Sequence, residues 1–357
     1  MISLYVGSTS GYSGKSLVSM GLGYKFKKDG LRVGYFKPVG ILPVKVGDVL
    51  TDNDAWRIYR ALDLKDSISR ICPVVLTQEL AVKGYLKDVK GLLEKIVKSY
   101  QQLSEDKDVM IAGGYGSIYT GAVLGIQGLK VIKRLKAKVV IVVKYEGDYI
   151  VDYVLQAKKD LNDKFIGVIL NKVSNEYMQG INDYIVPFLK RKGIDIIGII
   201  PHDSIVGSIT VEEVSDMLGG KVLCCHNRLS NLVEHFLIGA MQVDKAIDYF
   251  KRTRNNAVIV GGDRADIQLS AIESGTECLI LTGELYPSEI IVSRAEQKDV
   301  PILVVRDDTY SVAKKLEKLS VRLRLRDKAK VDRGMNLVME NVDFPLLYKK
   351  LGIRIGQ

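Results

Sequence analysis

The sequence predicts an α/β protein: a parallel sheet with helices on both faces, followed by a smaller α/β unit. Three observations carry this. Over roughly the first 200 residues, short and nearly continuous apolar runs alternate with amphipathic stretches, the pattern of strands buried on both faces. The first of these runs leads straight into a glycine-bearing turn, "TSGYSGKS", and then into a helical stretch. After Pro201 the texture changes and a new series of strand–loop–helix turns begins. At 357 residues the chain is also too long for one ordinary core.

In chain order, the strand candidates are "ISLYVG", "RVGYFKPV", "DVMIAGG", "KVVIVVKY", "FIGVILNKV" and "DIIGIIP". Between them, "SLVSMGLGYKFKKDG", "DNDAWRIYRALDL", "KGLLEKIVKSYQQLSE" and "DYIVDYVLQAKKDL" read as helices. A boundary is expected near residue 205, with domains over 1–205 and 206–325 and a C-terminal extension over 326–357. Thr210 precedes Glu213 by three residues, the spacing of a capping box, and Gly219-Gly220 should end that helix. "DFPLLYKKLG" reads as a last helix able to pack on either domain. "VRLRLRDKAKV" alternates apolar and basic residues. It reads as a strand with Arg322, Arg324, Arg326, Lys328 and Lys330 on one face, a charge-protected edge or an anion-facing surface.

The formal net charge is +10, but much of the surplus sits in this stretch: Lys314 to Arg333 holds nine basic and three acidic residues. Nothing else resembles a nucleic-acid module, so nucleic acid is not an expected partner. No apolar run is long enough to span a membrane, and no signal peptide is evident. Cys72, Cys224, Cys225 and Cys278 lack metal-ligand spacing and read as reduced thiols of a cytoplasmic protein.

"TSGYSGKS" differs from the phosphate-loop pattern G-x-x-x-x-G-K-[ST] only in having Thr9 in place of the first glycine. A strand before and a helix after are the context the motif needs, because loop and helix-terminal N–H groups then point at anionic oxygens. Ser10, Gly11, Tyr12, Ser13 and Gly14 would wrap the phosphates, Lys15 would reach the β- and γ-phosphates, and the Ser16 hydroxyl would ligate Mg²⁺. The expected architecture is thus a P-loop NTPase-like sheet, with ATP and Mg²⁺ as expected ligands.

The motifs after this loop resemble those of dethiobiotin synthetases over about residues 1–205. That family also carries threonine in place of the first loop glycine. In "FKPVG" the resemblance puts Lys37 beside the substrate and the transferred phosphate. In "TDNDAW" it makes Asp54 a Mg²⁺ ligand, and in "GVILNKV" it gives Asn171 to the nucleotide base. "GIIP", ending at Pro201, resembles the base-side loop. The chemistry suits each assignment: an ammonium for a phosphoryl group, a hard oxygen for Mg²⁺, a donor–acceptor amide for a base edge. One position departs. The family's third strand ends in a metal-binding glutamate, whose place in "VMIAGGYGS" is held by Ala112, and Asp52 or Glu146 are the candidates to compensate.

"DVMIAGGYGSIYTGAVLG", "KYEGDYIVDYVL" and "PVVLT" resemble more narrowly the amino-terminal region of long phosphate acetyltransferases. "VIVGGDRADIQLSAI", "CLILTGE" and "PILVVRDDTYSVA" resemble the DRTGG domain that follows it there. The resemblance implies a regulatory or assembly role, a homo-oligomer formed through the DRTGG-like half, and room for a further protein partner. Gly262, Asp263 and Arg264 would form a turn that binds a small anion or fixes a dimer contact; alternatively Asp263 simply caps the helix after it. Thr282-Gly283 and Asp308-Thr309 should lie on the same rim. No stretch resembles the acetyltransferase domain, so acyl transfer is not expected. An ATP-dependent synthetase of the dethiobiotin or cobyrinate amide type, activating a carboxylate or carbamate by phosphorylation, is the alternative.

Overall fold

The computed structural model describes residues 1–319 and 328–354. The chain divides into two compact units. One comprises Met1–His202 together with Val331–Gln357, and the other Asp203–Lys330.

The first unit is built on six parallel strands: β1 (Ile2–Gly7), β2 (Val33–Phe36), β3 (Val109–Gly113), β4 (Lys138–Lys144), β5 (Phe165–Val173) and β6 (Ile196–Pro201). Their order in the sheet is β6-β5-β4-β1-β3-β2, and every neighbouring pair is parallel. Leu4, Tyr5 and Val6 of β1 and Val139 to Val142 of β4 are fully buried, as near-continuous apolar strands in the middle of a sheet must be. From β1 the chain runs past β3 to β2 on one side, and from β3 it crosses back over β1 to β4 on the other. The carboxyl end of β1 is therefore the switch point where such sheets bind ligands.

Helix α1 (Lys15–Lys28) follows β1 directly, and α2 (Asn53–Ala61) follows a hairpin of Pro43–Val46 and Val49–Asp52. Further helices are α3 (Leu92–Ser104), α4 (Gly128–Leu135) and α5 (Ile150–Leu161). No helix among the described residues is long and apolar enough to cross a membrane.

The second unit has its own five-stranded sheet: β7 (Lys221–Val222), β8 (His235–Ile238), β9 (Asn256–Gly261), β10 (Cys278–Thr282) and β11 (Ile302–Val304), in the order β7-β11-β10-β9-β8. Only the edge strand β7 runs antiparallel to its neighbour. Successive parallel strands lie side by side, so right-handed crossovers place the connecting helices on one face. These are α7 (Val243–Arg252), α8 (Ala265–Ser274) and α9 (Glu289–Gln297), packed on Val258, Val260, Leu279 and Leu281. The alternate residues Ala257, Ile259, Cys278 and Ile280 face α6 (Val211–Leu218) and α10 (Thr309–Leu319). Helix α6 starts with the expected capping box between Thr210 and Glu213 and ends on Gly219 in a left-handed conformation. All four cysteines are free thiols.

The carboxyl-terminal segment corrects one expectation. Lys328 and Lys330 lie not on a basic strand but in helix α11 (Lys328–Asn341); Arg322, Arg324 and Arg326 fall outside the described residues. Burial at Lys330, Gly334, Leu337 and Val338 follows helical spacing, so the alternation of charge had hidden a period near 3.6. Lys330 itself is buried, donating to the Ser208 carbonyl at 3.2 Å and lying 3.8 Å from Glu213.

Beyond it, α11 and α12 (Phe344–Leu351) pack on α1 and on the β6 edge. Phe344 and Tyr348 stack around Phe26 at centroid distances of 6.5 and 5.6 Å, Tyr348 also donates to Asp29, and Lys25 lies 5.4 Å over the Phe344 ring. Val342 forms an antiparallel bridge with Gly198, and the Asp343 N–H donates to the Ile197 carbonyl at 2.7 Å. Replacing Phe344 by alanine is expected to cost about 3 kcal/mol, as for other buried aromatic truncations. Denaturant unfolding followed by far-UV circular dichroism measures it; an unchanged midpoint would mean that this segment does not belong to the first unit's core.

Candidate functional site

The turn after β1 is set by two left-handed residues, Tyr12 (φ 57°) and Gly14 (φ 94°). Gly14 is required twice over. Its backbone angle suits only glycine without strain, and a Cβ there would lie 2.1 Å from the Asn171 amide nitrogen. Asn171, near the end of β5, is buried and donates through Nδ2 to the Ser13 carbonyl at 2.8 Å. It therefore braces the phosphate loop from the end of β5. Pro201 ends the neighbouring strand β6, one residue beyond Ile200, the register partner of Asn171. Ser10, Gly11 and Tyr12 form the exposed outer part of the loop, and Ser13 is buried beneath it. The Ser8 hydroxyl holds the start of the loop, donating to the Ser10 carbonyl at 2.5 Å and accepting from the Ser10 N–H at 3.0 Å.

Lys15 opens α1 and is 8% exposed. Its ammonium donates to the Gly116 carbonyl at 2.8 Å and lies 3.4 Å from both the Ser10 carbonyl and the Ser13 hydroxyl. Burial, and next the Lys37 ammonium nearby, pull its pKa down from 10.5 to about 7, against the pull of Asp54. The segment carrying Gly116 follows β3 and is tied down by Gly114 N–H to the Val6 carbonyl (2.9 Å) and Ile118 N–H to the Ser8 carbonyl (2.8 Å).

Lys37 follows β2 directly and is 3% exposed. Its ammonium lies 3.1 Å from Asp52 and 3.3 Å from Asp54. Burial by itself would pull its pKa down, but the carboxylates of Asp54 and Asp52 outweigh that and hold it well above the usual lysine range. Asp54 in turn accepts from the Ser16 hydroxyl at 2.7 Å. Burial pushes its carboxyl up, and Lys37 together with Ser16 brings it below the usual carboxylate range. The sequence-predicted Ser16, Lys37 and Asp54 thus sit together at the foot of the loop.

Asp52 has a larger part than its place in the sequence suggests. One of its oxygens caps α2 through the N–H groups of Asp54 (2.9 Å) and Ala55 (3.1 Å). The other accepts from the N–H groups of Ile41 and Leu42, both at 2.8 Å. Gly40 permits this approach, since a Cβ there would meet the Asp52 Cβ at 2.5 Å. The N-cap spacing of "TDNDA" is the signal that could have found it. Glu146 instead pairs with Lys144 on the surface, and its side chain is 48% exposed. Ala112 is buried in β3 between Tyr5 and Phe36 and brings no oxygen to the site.

For Mg²⁺, Ser16 and Asp54 supply two hard oxygens already within a hydrogen bond of each other, the donor type Mg²⁺ takes when phosphates and water complete its shell. Among the described residues no group of three or more His, Cys, Asp and Glu side chains forms a metal cage.

In the second unit, Gly262 follows β9 where a Cβ would meet the Leu285 carbonyl at 2.4 Å. Helix α8 is N-capped by Arg264, with no side-chain cap bond, so Asp263 does not cap it. The Arg264 guanidinium is held by Asp266 at 3.0 Å through both carboxylate oxygens. An anion would face Asp263 and Asp266 here, which does not favour the anion reading of Gly262, Asp263 and Arg264. Thr282 and Thr309 share a rim, their hydroxyls 2.8 Å apart.

A phosphate loop at the switch point of a parallel sheet, with lysine, serine and aspartate at its foot, defines a P-loop α/β domain. The chain belongs to the AAA domain family, whose model matches residues 3–210, and a DRTGG domain matches residues 213–319. It is similar to the phosphate acetyltransferase of Synechocystis sp., with 25% identity over 361 residues, 96% of this chain and 50% of that one. It is also similar to the ATP-dependent dethiobiotin synthetase BioD of Caldicellulosiruptor saccharolyticus, with 25% identity over 120 residues, 33% of this chain and 49% of that one. The chain spans about half the length of the curated acetyltransferases it matches.

The arrangement gives two contrasting variants. Asp52→Ala would leave Lys37 buried with Asp54 alone and unpair four N–H groups, a loss of about 3–5 kcal/mol by analogy with other broken buried pairs. Glu146→Ala should leave stability unchanged. Equilibrium unfolding of both, side by side, checks the assignment.

Proposed function

We propose that the chain is a nucleotide-binding protein of regulatory or assembly function, taking ATP or ADP with Mg²⁺ in the loop from Ser10 to Ser16. The observation that carries this is the loop itself: a left-handed Gly14, a buried Lys15, and Ser16 bonded to Asp54 at the start of α1. Asn171 and Pro201, at the ends of β5 and β6, are the residues assigned to the base. The regulatory reading rests on Ala112, which puts a methyl group where the synthetase-like relatives would need a metal-binding carboxylate, and on the DRTGG half. The same half suggests assembly with a second copy of the chain, and the phosphate acetyltransferases it resembles suggest a metabolic partner.

The second reading, an ATP-dependent synthetase activating a carboxylate or carbamate, is favoured by one arrangement. Lys37 and Asp54 are 3.3 Å apart at the foot of the loop, the placement wanted for an ammonium at a transferred phosphoryl group and an acid at its metal. Substrate-stimulated ADP release across a panel of carboxylic acids and amines, lost in Lys37→Ala, would establish that reading over the first.

Titration calorimetry with Mg-ADP and Mg-ATP is the direct test. Binding should be present in the wild type and lost in Lys15→Ala, with little turnover. Absence of affinity for both adenine and guanine nucleotides would overturn the proposal.

A pH dependence also follows. Free Lys15 has a pKa of about 7, and phosphate raises it, so binding takes up a proton above that pH. Affinity is therefore greatest at and below neutrality and falls as pH rises past about 7, by at most about tenfold per unit. Calorimetry in buffers of different ionisation enthalpy should report this proton uptake, and Lys15→Arg should abolish it.

A further inference from the structure

From Val331 onward, helix α11 belongs to the unit of the phosphate loop although more than 120 residues of chain separate it from β6. Its contact with α1 is unusually close, because each helix presents a glycine to the other. A Cβ at Gly334 would lie 2.4 Å from Leu17 Cδ1 and 3.0 Å from its Cδ2, and a Cβ at Gly21 would lie 2.4 Å from Val338 Cβ. Each glycine costs about 1 kcal/mol against alanine in a helix interior, so the pair is expensive unless the close approach is used. Leu17 is the residue after Ser16, in the first turn of α1. The Gly334 notch therefore bears on the turn that carries Lys15 and Ser16, with a single residue between contact and phosphate site. One turn further along α1, the Gly21–Val338 notch fixes the same pair of helices, so two contacts define how far α1 stands from α11 and how it is rotated.

We propose that Gly334 and Val338 of α11 are positioning residues for the phosphate loop. They set the seat of α1, and through it the directions of the Lys15 and Ser16 backbone N–H groups and of the Ser16 hydroxyl. Anions at a helix N-terminus are held by those N–H groups, so a small displacement of the first turn acts on phosphate affinity with no contact to the nucleotide. This rests on the nucleotide reading proposed above.

The test uses the full chain and Mg-ADP. Gly334→Val should weaken Mg-ADP binding by about tenfold or more, equivalent to about 1.4 kcal/mol. Adding Leu17→Ala, which clears the space the new side chain needs, should restore most of it, a rescue that general loss of stability would not give. Hydrogen exchange on the wild type supplies an independent reading. Mg-ADP should add protection to residues 334–341 as well as to the loop, since what seats α1 for the nucleotide is itself stabilised by it. If the wild type binds Mg-ADP while Gly334→Val binds equally well, or loses binding that Leu17→Ala does not restore, the positioning role is wrong. Protection confined to the loop would overturn it too, even were Gly334→Val not to fold. No Mg-ADP binding by the wild type would count against the nucleotide reading itself, the separate failure that Lys15→Ala already probes.

Discussion

The buried contact between Lys37 and Asp52 is the constraint on which the site depends. Two charged groups, 4% and 0% exposed, lie 3.1 Å apart beneath the phosphate loop. Neither could stay there alone, because an unpaired charge in a dry interior costs several kcal/mol. Asp52 is kept in place by four backbone N–H groups drawn from the hairpin and the start of α2. The pair consequently fixes the end of β2, the returning hairpin and α2 in one geometry. Asp54 takes its position from this, as a first-turn residue of α2 that faces Ser16 across the gap between helices. The outer half of the site, Asn171 against Ser13 and Gly14, is separately held by the β5 strand end.

That geometry also sets the charge balance at the foot of the loop. Two lysines and two aspartates gather there, and they do not act alike. Lys37 is saturated by carboxylates, whereas Lys15 is bonded, among the described residues, to neutral carbonyl and hydroxyl oxygens alone. Lys15 is thus the cation with most to gain from an anionic partner, and Lys37 is held in a fixed position beside it. The methyl group of Ala112 removes a negative charge that would otherwise compete for the same cations.

Much of this was legible in the sequence because it lies on local patterns. A strand, a glycine turn and a helix are contiguous over residues 2–28, and Lys37, Asp54 and Asn171 each sit at a strand end or helix start with a readable spacing. What was not legible depends on atoms without side-chain identity or on distant packing. The Gly116 carbonyl meets Lys15 from a hundred residues away and leaves no mark in the residue type. Lys330 looked like one more exposed charge of a basic strand, yet it lies on the buried face of α11, where only its helical spacing from Gly334 and Leu337 gives it away. In the second unit the capping box at Thr210 was readable, whereas the cap of α8 falls to Arg264, directly before Ala265, and not to Asp263, the alternative offered for it.

The first unit is discontinuous: Asp203–Lys330 lies within it as an insertion, and Val331 onward completes it. During synthesis, the strip of α1 bearing Leu17, Gly21 and Phe26 must emerge more than 300 residues before the helices that cover it. Domains that finish early can fold as they appear, but this one cannot close until α11 and α12 have left the ribosome, after the whole of the insertion. The apolar face of α1 therefore stays uncovered while the insertion is being made, and the insertion can fold before its host is complete.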